Sequence, residues 1–306
     1  MVLFVTGRCT RNCWYCPISA TRRGKDTAYA NDRKIKQPGD ILDEAAVMSA
    51  LGTGITGGEP FLVLDRVAEY CRMLKGTFGK RHHIHLYTGL APAEDELAEL
   101  SGYVDEIRLH PPHEVWPSLL KSKYLSSVKA AKSLGFATGI EVPSLPGLDN
   151  FIPILPDIDF LNINELEWSE TNAEGMRQWG YELADNCHNA VKNASRWADP
   201  LLGHPKVHWC SSTFKDSVQL RERLKRIAHN TARPFDEITP DGTIIYGVLE
   251  SRDLPMGVDY DQMEIIDDHI EMAWWVLVEK REHLMGKKYI LERYPNNGMV
   301  VEVIPL

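Results

Sequence analysis

The chain is predicted to be an α/β protein: a partial (β/α)6 barrel followed by a small C-terminal α+β appendage. Three observations predict this. Six short apolar runs of strand character alternate with amphipathic runs of helical spacing as far as Asn164, a pattern that pairs strands in parallel through helical crossovers. Right-handed crossovers curl such units in one sense, and six are too few to close an eight-stranded barrel. Beyond Pro234 the alternation gives way to hairpin signals.

The six expected strands span 2–6, 54–56, 82–88, 104–110, 136–142 and 159–164. Between them, amphipathic runs at 42–51, 62–75, 93–100 and 119–134 predict helices, and 150–155 a short turn. After Asn164 the spacing predicts a long helix over 171–198, with Glu170-Thr171-Asn172 before it as a cap. A seventh, short strand is expected at 206–209, and a charged helix at 214–230 with Leu220, Leu224 and Ile227 in register. Pro240-Asp241-Gly242-Thr243 is a hairpin turn. Ile265, Ile266, Ile270, Ala273, Trp274, Leu277 and Val278 predict a helix over 262–285, and 289–293 and 299–304 flank a second hairpin turn. The expected domains are 1–233, the barrel, and 234–306, the appendage.

The 306 residues are 43% hydrophobic, enough for one large α/β domain with an addition. Net charge is −9, which argues against a broad nucleic-acid surface. No apolar run approaches the ~20 residues that span a bilayer. The first residues run straight into Val2-Leu3-Phe4-Val5 and Arg8 without a basic n-region or a small-residue cleavage site, so no secretory signal is expected. Three of the six cysteines cluster at the start, which suits a metal site in a reducing compartment better than a disulfide framework. A cytoplasmic protein is expected.

Those three are Cys9, Cys13 and Cys16, in a CxxxCxxC run directly after the first strand. Structural zinc usually takes four ligands, often as paired CxxC units. Three thiolates without an evident fourth ligand favour a [4Fe–4S] cube whose fourth iron is left open, with a zinc site as the alternative. Gly57-Gly58-Glu59-Pro60 follows the second strand. The glycines let backbone approach a ligand closely and adopt positive φ, and the proline fixes the next turn.

Strand alternation sorts the remaining polar residues. With helices outside, Ile84, Leu86, Ile107 and Leu109 point outward. His83, His85, Tyr87, Arg108, His110, Gly139, Glu141, Asn162 and Asn164 point inward. Ligands of parallel α/β sheets bind beyond the carboxyl ends of the strands, so Tyr87, His110, Glu141 and Asn164 are nearest the expected site. Cys71 and Cys187 fall in helical runs and read as buried thiols; with Cys210 they are also the candidates for a second cluster. Cys210, after the seventh strand, is a candidate for substrate binding or hydrogen donation. The 17–40 loop carries Arg22, Arg23, Lys25, Arg33, Lys34 and Lys36 against Asp26 and Asp32. It can dock an acidic electron donor, such as flavodoxin or ferredoxin, or an anionic substrate.

The cysteine run with Trp14-Tyr15, together with Gly57-Gly58-Glu59-Pro60, resembles the radical S-adenosylmethionine (radical SAM) superfamily, and within it the pyruvate formate-lyase activating enzyme branch. Trp209-Cys210-Ser211-Ser212 and the basic helix beyond it resemble a largely archaeal group related to that enzyme. The resemblance implies an oxidoreductase-like enzyme with a [4Fe–4S] cluster on Cys9, Cys13 and Cys16 and S-adenosylmethionine on the open iron. Reductive cleavage would yield a 5′-deoxyadenosyl radical that abstracts hydrogen from a protein, peptide or small molecule. It places Tyr15 near the adenine and Gly57, Gly58, Glu59 and Pro60 at the methionine amino group. On this reading Arg108 pairs with the carboxylate of the cofactor, and Glu141, Asn162 or Asn164 with the ribose; His110 stands beside them. The alternatives are a glycyl-radical enzyme activase, a tRNA-modifying enzyme using Arg221, Arg223, Lys225, Arg226 and Arg233, and a non-catalytic iron–sulfur or zinc protein. Tyr87-Thr88-Gly89 departs from the common Thr-Asn-Gly of the activase branch.

Overall fold

Strand β1 (Val2–Phe4) starts a nine-stranded sheet in a computed structural model that describes every residue except 187, 252 and 253, and all but the side chain of Asp216. The next two strands, β2 (Tyr29–Ala30) and β3 (Arg33–Lys34), add antiparallel to its edge. They turn the expected loop at 17–40 into a small hairpin before α1 (Gly39–Val47). The parallel sheet continues through β4 (Gly52–Thr56), α2 (Leu64–Phe78), β5 (His83–Thr88), α3 (Glu94–Ala98), β6 (Glu106–Leu109), α4 (Lys123–Ser133), β7 (Ala137–Pro143) and β8 (Phe160–Asn164). The strand order β1-β4-β5-β6-β7-β8 is that of a partial barrel. The outward residues Ile84, Leu86, Ile107, Leu109, Ile140 and Val142 are fully buried beneath the helices, so apolar burial fixes which face of each strand is interior.

The long helix expected at 171–198 does not form. Two short helices, α5 (Ala173–Gln178) and α6 (Ala194–Ala198), stand at the ends of an irregular segment. Gly180 and Asn193 both take left-handed φ (71° and 65°), which a continuing helix does not allow. Cys187 lies outside the described residues. The seventh strand is present as β9 (Val207–Cys210), parallel to β8, followed by α7 (Ser212–Phe214) and, after a π-helical stretch, α8 (Arg221–Thr231).

The chain forms two compact units, 1–46 with 50–215, and 47–49 with 216–306. The second unit therefore includes the helix that the 233/234 boundary assigns to the barrel. Ala228 on α8 packs with Ile244, Tyr246 and Val248 of the unit's own sheet. That sheet comprises β10 (Glu237–Ile238), β11 (Ile244–Glu250), β12 (Met263–Ile266), β13 (His269–Met272), β14 (Lys287–Arg293) and β15 (Val300–Pro305). Here too an expected helix, at 262–285, is replaced: 263–272 is a hairpin, and helix is confined to α9 (Trp274–Lys280) and the 3-10 turn Arg281–His283 that follows it. Asp267 adopts left-handed φ (50°) at the turn, and β-branched Ile265, Ile266 and Ile270 suit strands. The same run meets the helical spacing by coincidence. Arg233, expected on a nucleic-acid face, is bound to Asp236, Glu264 and Glu271. No helix among the described residues is long and apolar enough to cross a membrane.

One ion pair ties α2 to the end of the first strand. Arg66 donates to both carboxylate oxygens of Asp26 (2.6 and 3.2 Å) and to the Val5 carbonyl (3.0 Å), and the Thr6 hydroxyl donates to Asp26 (3.0 Å). The Arg66 guanidinium holds the Asp26 carboxyl below its usual range. The folded pKa is the lower one, so the stabilisation is complete above the ordinary carboxylate value and is lost as pH falls through the folded value. Asp26 is more than a third exposed, so the pair contributes only ~0.5 kcal/mol. Asp26→Asn should flatten the acid limb of the unfolding free energy, measured by denaturant against pH, by that amount. An acid limb identical to wild type would assign the pair no stabilising role.

Candidate functional site

The cysteine loop follows β1 and is closed by backbone pairing: Gly7 N–H donates to the Lys25 carbonyl and Gly24 N–H to that of Gly7 (both 2.8 Å). Its other wall is the loop after β4. Gly58 N–H donates to the Thr6 carbonyl (2.6 Å) and Glu59 N–H to the Arg8 carbonyl (2.8 Å). Neither Gly57 nor Gly58 has the positive φ expected of them. Their lack of a side chain serves close approach instead: a Cβ on Gly57 would lie 2.6 Å from the Thr6 carbonyl oxygen, and one on Gly58 2.2 Å from that of Arg8. Both glycines are spaces for the cysteine loop itself.

Within this brace Cys9 is exposed and Cys13 and Cys16 are half-buried. Burial raises the thiol pKa of Cys9 and of Cys13, and the charge of the neighbouring Cys16 adds to both shifts. The Arg11 amide donates to the Cys9 sulfur (3.3 Å), a bond that favours its thiolate. Cys9, Cys13 and Cys16 are near enough on this loop for their charges to act on one another. A cube takes each thiolate on a different iron and leaves the fourth iron open, a demand that three neighbouring thiols fit.

Glu59 organises the floor of the loop. It is 1% exposed, and its carboxylate accepts from Phe61 N–H (3.1 Å), the Thr88 hydroxyl (2.7 Å) and Gly89 N–H (2.8 Å). It caps the 3-10 turn whose first residue is the buried Pro60 and ties it to the end of β5. Burial raises its pKa although each of these donors works in the opposite direction.

Tyr15 and His110 form the next layer. The Tyr15 hydroxyl lies 3.0 Å from His110 Nε2, and His110 Nδ1 lies 2.8 Å from the Glu141 carbonyl oxygen. A carbonyl only accepts, so Nδ1 carries the proton. Burial lowers the His110 pKa and keeps the ring neutral, so Nε2 accepts and Tyr15 donates. Burial also pushes the Tyr15 phenol far above its ordinary value.

The interior polar residues form one network. Arg108 Nη1 donates to Tyr87 (2.7 Å) and Glu141 (2.8 Å), and its Nε to Glu106. Asn162 (3.0 Å) and Asn164 (2.7 Å) also donate to Glu141. Arg108, expected to meet a free carboxylate, already holds two of the chain's own. Gly139 points inward and gives its space to the Phe160 ring. His85, deeper in the barrel, is pushed down to about 3 by burial and by the Arg108 charge. Cys210 pairs in register with Asn164, which places it on the same interior face. Cys71 is fully buried on α2, and burial pushes its thiol up to about 12.

Two contributions were not anticipated from the sequence. The segment after β8 straps the cysteine loop: Asn172 Nδ2 donates to the Tyr15 carbonyl (3.1 Å), the Thr171 hydroxyl donates to the Cys16 carbonyl (3.3 Å), and Trp179 stacks on Trp14 (5.3 Å). Arg11, between two of the cysteines, donates to the Tyr124 hydroxyl (2.7 Å). The only available signal for Arg11 was its position inside the motif. Nothing in the local pattern announced the strap. In the 17–40 loop, Arg22 is paired with Asp32 and Arg33 with Asp40, while Lys25, Lys34 and Lys36 are exposed.

Comparison with known proteins bears on this geometry. The model of the radical SAM superfamily matches residues 3–150. A Methanocaldococcus jannaschii protein, whose name assigns it provisionally to the glycyl-radical enzyme activating enzymes, is 32% identical over an alignment covering all of this chain and 89% of that protein. The chain belongs to the radical SAM superfamily. Its cofactors are those of that family, a [4Fe–4S] cluster and S-adenosylmethionine. Residues 242–306 match a domain of unknown function (DUF8061). Solved structures similar to this radical SAM protein include SuiB of Streptococcus suis bound to S-adenosylmethionine (14% identity, TM-score 0.42, 79% of this chain and 58% of that one). The radical S-adenosylmethionine methyltransferase TsrM of Kitasatospora setae is another (14%, 0.39, 75% and 51%). The chain spans roughly half the length of these structures.

Proposed function

We propose that the protein is a radical SAM enzyme of the activating branch, which removes a hydrogen atom from the backbone of a protein partner. The observation that carries this reading is the trio of neighbouring thiols, Cys9, Cys13 and Cys16, on a loop braced by Gly57 and Gly58. When bound, the cluster and S-adenosylmethionine supply a one-electron cleavage to methionine and a 5′-deoxyadenosyl radical. The chain's own residues bind, orient and shield. The three thiolates hold the cluster, and the Arg11 amide supports the charge of Cys9. Gly57, Gly58, Glu59 and Pro60 set the loop wall that receives the amino acid end of the cofactor. Tyr15, held by its hydrogen bond to His110, gives the site an aromatic wall that keeps water from it. Glu141, with Asn162 and Asn164, offers oxygen and amide groups toward a sugar, and Arg108 holds the Glu141 side chain in place.

A polypeptide substrate is supported by the name of the Methanocaldococcus relative. An acidic electron donor is supported by the exposed Lys25, Lys34 and Lys36. Reconstituted anaerobically and supplied with dithionite and S-adenosylmethionine, the wild-type chain should release 5′-deoxyadenosine. Cys13→Ala should release no more than a protein-free control. Adding the partner glycyl-radical enzyme should produce a glycyl doublet by electron paramagnetic resonance. Absence of 5′-deoxyadenosine from wild type overturns the reaction. Its formation without a glycyl signal overturns the choice of substrate.

A further inference from the structure

An open cavity of about 420 Å³ lies beside the cysteine loop, within the range of small-molecule sites. Phe61, Leu90, Pro92 and Val115 give it apolar walls, and Arg11 and Lys123 bring positive charge to it. Arg11 is under-used as a donor. Nη2 bonds Tyr124, Nε is buried with no partner, and Nη1 has no hydrogen bond among the described residues. No carboxylate pairs with Arg11 or with Lys123 among the described residues. The one acid on the wall, Glu96, accepts from Ala93 N–H (2.8 Å) in capping α3. Lys123 also opens α4, whose first turn adds the positive end of a helix dipole.

A guanidinium with donors to spare, a free ammonium and apolar walls call for an anion with a hydrocarbon body. We propose that this cavity binds a small organic carboxylate, with its carboxylate on Arg11 and Lys123 and its chain against Phe61, Leu90 and Val115. An Arg–carboxylate bond is charge-assisted, and Nη1 of Arg11 has its hydrogens to give to one. The apolar walls set the selection: a bare inorganic anion leaves them wet, and a neutral chain leaves the cations unpaired. The site does not depend on the proposed reaction, because its occupancy is read without S-adenosylmethionine or turnover.

Isothermal titration of the reconstituted chain with hexanoate, inorganic phosphate and hexanol tests this. Saturable hexanoate binding is expected, with hexanol at least ~10-fold weaker for want of one charge-assisted bond and phosphate at least ~10-fold weaker for want of a chain to cover the apolar walls, about two buried methylenes' worth. Arg11→Gln should weaken hexanoate ~10-fold or more on the same basis, and Val115→Trp, which fills the cavity, should abolish it. Lys123→Gln, at an exposed position, carries the test if either variant fails to fold; a several-fold loss is expected. The proposal is overturned by no saturable hexanoate binding, by phosphate binding as tightly as hexanoate, or by affinity unchanged in the folded variants.

Discussion

Gly58→Ala is expected to lower stability by ~3 kcal/mol and to strip the protein of most of its iron. The new Cβ would lie 2.2 Å from the Arg8 carbonyl oxygen and 2.8 Å from that of Gly7. Both obstacles are backbone, so no side chain can swing aside, and overpacking of this kind costs about 1–3 kcal/mol. The two loops must part, which strains the Gly58-to-Thr6 and Glu59-to-Arg8 hydrogen bonds; each contributes about 1 kcal/mol. The displaced segment is the one that carries Cys9, so the cluster site is lost with the contact. Thermal melting together with iron content after reconstitution checks this. A melting temperature within a degree of wild type and a full complement of iron would show that the loops are not braced against each other.

That role of the glycines marks where sequence reading stopped. Gly57-Gly58-Glu59-Pro60 was legible as a loop beside the site because it follows a strand and precedes a proline-started turn. What the glycines make room for depends on a partner backbone some fifty residues earlier in the chain, and no local pattern carries that. The barrel strands were legible for the converse reason. Alternation at Ile84, Leu86, Ile107 and Leu109 is a local signal, and burial enforces it. The inward set from Arg108 to Asn164 followed from the same alternation, but not its pairing: Arg108 neutralising Glu106 and Glu141 is a relation between strands.

The two misread helices fail for a shared cause. Apolar spacing at 262–285 and polar–apolar mixing at 171–198 both admit a helix, and the residues that forbid it are single left-handed positions, Asp267, Gly180 and Asn193. Such residues weigh little in a periodicity, yet each stops a helix outright. At 171–198 the interruption has a consequence for the site. A continuous helix would present one face to the barrel. The interrupted segment can instead reach the Tyr15 and Cys16 carbonyls with Asn172 and Thr171 and set Trp179 on Trp14. The cysteine loop is thus held on one side by the Gly57–Gly58 backbone and on another by the strap. A loop that must present three thiols at fixed separations has little rigidity of its own, and these contacts supply it.

Glu59 is where the second large effect is expected. Glu59→Ala leaves Phe61 N–H and Gly89 N–H buried without an acceptor, at about 1–3 kcal/mol each. The vacated space adds to this, so a loss of ~3–5 kcal/mol is expected. Glu59→Gln separates shape from charge. Its amide oxygen can keep the two bonds made by one carboxylate oxygen, to Phe61 and Thr88, but then its NH2 faces the Gly89 N–H, donor against donor. A loss of ~1–2 kcal/mol is therefore expected. The pH dependence has a definite sign. Burial raises the folded pKa of Glu59 above its unfolded value, so the folded state binds the proton more tightly. Its stabilising contribution is whole below the ordinary carboxylate pKa and declines as pH rises through the folded value. Glu59→Gln removes that decline, so its deficit relative to wild type should be larger at acid pH than at neutral pH. Denaturant unfolding of both proteins across the carboxylate range checks this. A deficit that instead grew toward neutral pH would mean that the three donors outweigh burial and that the site holds its carboxylate as a favoured anion.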